Sequence, residues 1–61
     1  MMIEEKMVFS VYYTHDNMEG WVRDSSFMSF KDAQEMSWDM YESFQWCYDG
    51  FDTNIVEEIE R

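Results

Sequence analysis

An α+β fold is what this sequence predicts: a small β-β-α-β domain, with a three-stranded antiparallel sheet and one long helix packed on one face. Three observations lead there. β-Branched and aromatic residues dominate Lys6 to Thr14, an apolar series at spacings of three and four runs from Phe30 to Tyr48, and a second β-branched run closes the chain from Thr53 to Glu60. A period of two is the pattern of a strand, and spacings of three and four are the pattern of a helix.

The first strand sets Met7, Phe9, Val11 and Tyr13 on one face and Val8, Ser10, Tyr12 and Thr14 on the other, because successive side chains point to opposite sides of a sheet. His15-Asp16-Asn17-Met18-Glu19-Gly20 follows. Asp, Asn and Gly tolerate turn geometry, so this segment reads as the turn of a hairpin whose second strand runs from Trp21 to Phe27. Ser29 is a good N-cap, with Asp32 three residues later in place of the Glu of a capping box.

Lys31 to Tyr48 contains neither Gly nor Pro, so a helix of about five turns is predicted there. Phe30, Ala33, Met36, Ser37, Met40, Tyr41, Phe44, Cys47 and Tyr48 fall on one broad face, the side that should meet the core. Within that series Cys47 is expected to be a buried, inert thiol. Gly50 suits a left-handed residue beyond a helix end, and Phe51 can fold back on the last turn. In the final segment Ile55, Val56 and Ile59 fit a helical turn as well as a strand. A strand antiparallel to the first is preferred, since a stable small sheet usually needs three strands.

The 61 residues make one acidic domain, residues 1–61, with no linker or repeat. A chain this short buries only about 60% of its unfolded surface. It is 46% hydrophobic, with three Trp, four Tyr and five Phe, which excludes a disordered acidic tail. Cys47 is the only cysteine and can form no internal disulfide, so a reducing, cytoplasmic setting is expected. No stretch is apolar enough to span a bilayer, and Met1 to Lys6 lacks the features of a signal peptide.

The inventory for catalysis is thin, and no enzyme is expected. His15, the only histidine, lies in the turn beside Asp16 and has no nucleophile elbow to serve. One Cys and one His far apart make no zinc site. Asp16 to Gly20 resembles half of a calcium loop, but Met18 stands where an oxygen ligand is needed. Glu57, Glu58 and Glu60 offer at most weak, non-specific cation binding. Gly20 and Gly50 are the only glycines, so there is no phosphate-binding loop. No cofactor and no metal are expected.

The informative feature is charge. Fourteen Asp and Glu face only Lys6, Arg23, Lys31 and Arg61, for a net charge of −10. Such a field repels nucleic acids and anionic membranes and attracts basic partners. On the predicted helix Asp32, Glu35, Asp39 and Glu42 form a stripe opposite the apolar face, with Asp49 prolonging it. Like charges at these spacings cost a few tenths of a kcal/mol per pair. Successive carboxylates rise about 4.5 to 6 Å along the axis, against about 3.4 Å for the phosphates of one DNA strand. A surface built to hold phosphates could therefore accept the stripe. Trp46 projects into the acidic arc and Trp38 borders it, and exposed Trp is typical of interface anchors. The predicted partner-binding residues are Asp32, Glu35, Trp38, Asp39, Glu42, Trp46 and Asp49.

A hairpin, a helix opened by Ser29-Phe30-Lys31-Asp32-Ala33, and a final Gly50-Phe51 leading to Ile55-Val56-Glu57 together resemble small bacteriophage early proteins that inhibit host functions. Phage inhibitors of host RNA polymerase are similar in size and element order. The resemblance implies a class and assigns no residue: acidic viral proteins that block a polymerase, a restriction or repair enzyme, or a CRISPR complex, some of them as DNA mimics. The expected partner is then a basic host protein or nucleoprotein complex in the host cytoplasm. The competing expectation is a structural or regulatory module that forms a homodimer through the uncovered sheet face bearing Val8, Tyr12 or a neighbouring Trp.

Overall fold

The computed structural model describes residues 5–60. Its elements are β1 (Lys6–Thr14), β2 (Val22–Phe27), α1 (Phe30–Phe44) and β3 (Asp52–Glu60). The sheet order is β2-β1-β3, and β1 pairs antiparallel with both neighbours. This is the predicted β-β-α-β domain. β2 starts one residue after the expected Trp21, and β3 starts one residue before Thr53.

The period-two pattern of β1 decides which side the helix covers. Val11 stands opposite Ser25 and Ile55, and Phe9 opposite Phe27 and Glu57. These residues share a face with Tyr13, and on that face Val11, Ala33, Met40 and Phe51 form the buried cluster, with Phe9, Tyr13, Phe27, Met36 and Ile55 packed against it. Val11 is the pivot at 0% exposure. Burying one such aliphatic side chain contributes roughly 1.5 kcal/mol or more, a large share for so small a core. Ser37 joins the helix to β3 through a 2.7 Å contact between its Oγ and Thr53 Oγ1.

The helix departs from expectation at its end. It stops at Phe44 rather than Tyr48, and the chain continues in a tighter turn in which Cys47 N and Tyr48 N both donate to Phe44 O. The last helical turn holds no basic residue and carries Glu42, so nothing offsets the partial negative charge of the C-terminus. Trp46, Cys47 and Tyr48 are also weaker helix formers than Leu, Gln or Lys. The consequences are local. Cys47 is exposed rather than buried, and Tyr41, Phe44 and Tyr48 are partly open to solvent instead of enclosed in the core; Phe30, at the opposite end of the helix, is also half exposed. At the other end Ser29 occupies the N-cap position with extended backbone, but its side chain makes no capping hydrogen bond.

Phe51 does fold back. It is buried and meets Phe44, Tyr48, Tyr41 and Tyr13 at ring-centroid distances of 5.7 to 6.5 Å. Gly50 has the left-handed φ of +68°, six residues beyond the helix rather than at its end. A side chain there would run into the Asp16 carboxylate, because the hairpin turn docks on this corner through a 2.9 Å hydrogen bond from Asp16 N to Asp49 O.

One irregularity was not legible in the sequence. Val11 pairs with Ser25 but Tyr12 pairs with Arg23, so the register shifts and Asp24 is an extra residue in β2. Such a bulge turns side chains away from the face that simple alternation would give them.

Candidate partner-binding surface

The outer face of α1 is built by its 3.6-residue period. With Ala33, Ser37 and Met40 turned to the sheet, Asp32, Glu35, Asp39 and Glu42 come to the opposite side, on adjacent turns. These four acids line one shallow, open groove of about 590 Å³, together with Trp38, Met36 and Phe27. Trp38 is 64% exposed. Five of the seven sequence-predicted site residues thus share one surface, acidic, with apolar surface from Phe27 and Met36. Among the described residues, none of the four acids makes an ion pair or a side-chain hydrogen bond.

The other two predicted residues are placed differently. Because the helix ends at Phe44, Trp46 and Asp49 lie in the turn beyond it rather than on the acidic stripe. Neither lines the groove. Trp46 is 86% exposed, the most open aromatic side chain described, and Asp49 uses its carbonyl to hold the hairpin turn. Phe27 and Met36 are the members that sequence reasoning missed. The signal was available: Phe27 ends β2 on the helix-facing side, and Met36 lies between the core and acidic arcs of α1.

The uncovered face of the sheet is closed by its own side chains. Tyr12 stands opposite Asn54, and Glu58 opposite Val8, yet the Tyr12 hydroxyl donates to Glu58 Oε2 at 2.6 Å. The phenol therefore runs lengthwise past Ser10, which is fully buried and lies 3.1 Å from Ser26 through the two hydroxyl oxygens. Arg23 Nη1 approaches Glu58 Oε1 at 3.9 Å. The nearby Ser10 hydroxyl and the hydrogen bond from Tyr12, reinforced by the Arg23 charge, hold the Glu58 carboxyl below its ordinary value. The bond to Glu58, then burial and the carboxylate charge, push the Tyr12 phenol up. Val8, on the same face, is 3% exposed.

Among the described residues no group of His, Cys, Asp and Glu is arranged to hold a metal ion. Glu57 and Glu58 point to opposite faces of β3, which separates two of the acids considered for weak cation binding. No helix among the described residues is long and apolar enough to cross a membrane. Comparison with protein families, with curated proteins and with solved structures finds no match.

Proposed function

We propose that the protein is a phage-type acidic inhibitor that acts in the host cytoplasm by occupying a basic, nucleic-acid-binding surface of a host protein. One observation carries this reading: Asp32, Glu35, Asp39 and Glu42 line a groove with an exposed Trp38. Glu35, Asp39 and Glu42 make no ion pair among the described residues and repel one another, so folding alone gives no reason for them. Asp32, in the first turn, also favours the helix dipole. A partner bearing Lys and Arg spaced for phosphates would neutralise the row, while Trp38 supplies the apolar anchor that interface energetics usually require. The net charge of −10 would steer the encounter.

The homodimer reading has less to support it. The sheet face it would use has Val8 enclosed and Tyr12 committed to Glu58, with Val56 as its exposed aliphatic side chain.

The test is capture from bacterial lysate at low and high salt, followed by competition on the captured protein. Binding should displace nucleic acid from that protein. Its association rate should fall more than its dissociation rate rises as salt goes from about 50 to 300 mM. A captured partner that keeps its nucleic acid while bound, or an association rate indifferent to salt, would overturn the proposal.

A further inference from the structure

A second concavity lies at the far end of the helix, where the hairpin turn, the start of β2 and the turn after α1 meet. It measures about 240 Å³ and shares no residue with the acidic groove. Its lining is mostly aromatic, with Met18, Met40 and Asp24 beside the rings. His15 and Tyr48 stack at 4.6 Å with 17° between their planes, Tyr48 and Phe44 are tilted against each other at 6.0 Å, and Tyr13 and Phe51 close the inner side. Phe44 and Tyr48 are 40% and 43% exposed. The rings stack in pairs, and the concavity they border stays open to solvent.

Among the described residues one carboxylate lines this concavity, that of Asp24. Regular alternation would have placed Asp24 opposite Tyr12 on the uncovered face of the sheet. The bulge gives that position to Arg23, which goes to Glu58, and makes Asp24 the extra residue. The carboxylate is thereby moved to the helix side, beside the rings, and its basic neighbour is sent to the other face. Among the described residues Asp24 has no ion-pair or hydrogen-bond partner. A bulge interrupts a ladder and is best understood as serving a placement.

We propose that this pocket binds an N-methylated ammonium group. The π faces of aromatic rings attract a cation, and quaternary ammonium heads are the ligands that ring-walled cages recognise. The single carboxylate adds charge without demanding hydrogen bonds. Other cations fit less well. A primary ammonium brings three N–H donors and a guanidinium five, more than one carboxylate and a few ring hydroxyl and nitrogen atoms can satisfy. A metal ion needs several oxygen ligands, and the lining offers one acid. The volume suits a head group rather than the drug-sized ligands that fill about 300 to 1,000 Å³. The head group can come from a free choline-type molecule or from a trimethylated lysine of a protein.

The experiment is an amide chemical-shift titration of the intact chain with tetramethylammonium and choline. Its controls are sodium chloride and guanidinium chloride at equal ionic strength, and 3,3-dimethylbutan-1-ol, the uncharged carbon analogue of choline. Saturable shifts confined to residues 13–18, 22–25 and 44–51, with choline bound at least about tenfold more tightly than its neutral analogue, support the site. Asp24→Asn should weaken choline severalfold while leaving the spectrum folded. Tyr48→Leu, which keeps apolar bulk but removes the ring, should weaken it further. Tighter binding of either choline or a trimethyl-lysine peptide supports the same chemistry and identifies its source. Absence of saturation overturns the inference, as do shifts spread along the acids of α1, equal binding of the neutral analogue, or equal binding of guanidinium. The acidic groove is untouched by these variants, so failure here and failure of the inhibitor reading are separate results.

Discussion

Two sets of carboxylates divide this small molecule. On the outer face of α1, Asp32, Glu35, Asp39 and Glu42 stand in a row beside Trp38 with no ion pair among the described residues. On the uncovered face of the sheet, Glu58 is held by Ser10, Tyr12 and Arg23. The sequence writes both as plain acids. The difference lies in the partners the fold supplies: Glu35, Asp39 and Glu42 give the fold only repulsion, whereas Glu58 ties side chains of two strands to a third. Acidity that serves folding and acidity that serves binding can thus be told apart by what each carboxylate touches.

That contrast is open to attack at three points. The largest effect is expected at Trp38, which should anchor the partner while contributing little to the core. Trp38→Ala should weaken partner binding by about 2 kcal/mol or more and leave unfolding stability within about 0.5 kcal/mol of the parent. Calorimetric titration and a denaturant melt read the two quantities. Loss of stability comparable to the loss of affinity would mean that Trp38 is a packing residue and that the groove has no anchor.

A smaller effect, opposite in sign for stability, is expected along the row itself. Replacing Glu35 and Glu42 by Gln and Asp39 by Asn removes the like-charge contacts of mid-helix. The triple variant should gain roughly 0.5 to 1 kcal/mol at low salt, with the gain shrinking as salt is raised, while its partner affinity falls. Asp32 is best left in place, because a carboxylate in the first turn favours the helix dipole. Thermal melts at two salt concentrations, paired with a binding titration, check both halves. A stabilised variant with undiminished affinity would reduce the row to a solvated surface.

The subtlest expectation concerns Glu58 and acid. Its folded-state ionisation lies below the ordinary 4.5, so its contribution is present above pH 4.5 and is lost as pH falls through the lowered value. The Tyr12 phenol is raised above 10.0, so its contribution is full below pH 10 and declines as pH rises through the raised value. Glu58→Gln should therefore be less stable than the parent near neutrality, and the gap should begin to close as pH falls below 4.5. Denaturant melts from pH 3 to 8 measure this, and a constant gap across the range would show that Glu58 acts by shape rather than charge.

The first strand was legible because a period-two run needs only local reading, and Lys6–Thr14 was delimited to the residue, whereas β3 followed from the need of a small sheet for a third strand. The start of the helix and the burial of Ala33, Ser37 and Met40 followed equally from spacing. The end of α1 was not legible, since freedom from Gly and Pro says nothing about uncompensated charge at a C-terminus. That error carried Trp46, Cys47 and Asp49 onto a helix face they do not occupy. The bulge at Asp24 escaped for a different reason: register is a property of two strands together, and β2 read alone, Val22-Arg23-Asp24-Ser25-Ser26-Phe27, contains no Gly to announce it. Of the acidic surface, the four helix residues and Trp38 were readable from spacing, whereas Phe27 required the fold.

Among the described residues the sheet order β2-β1-β3 leaves β3 with one unpaired side along nine residues. An open strand of that length is a template on which another chain can add. Asp52, Glu57, Glu58 and Glu60 lie along it, so a second copy approaching edge to edge brings acids against acids. This protection is electrical and reversible. In concentrated solution, acidification that neutralises those side chains should lift the barrier, and Thr53 to Ile59, with its β-branched residues, should then seed ordered aggregates before the core has melted. For a chain this acidic, solubility and strand-edge protection are one property, and proton concentration sets it.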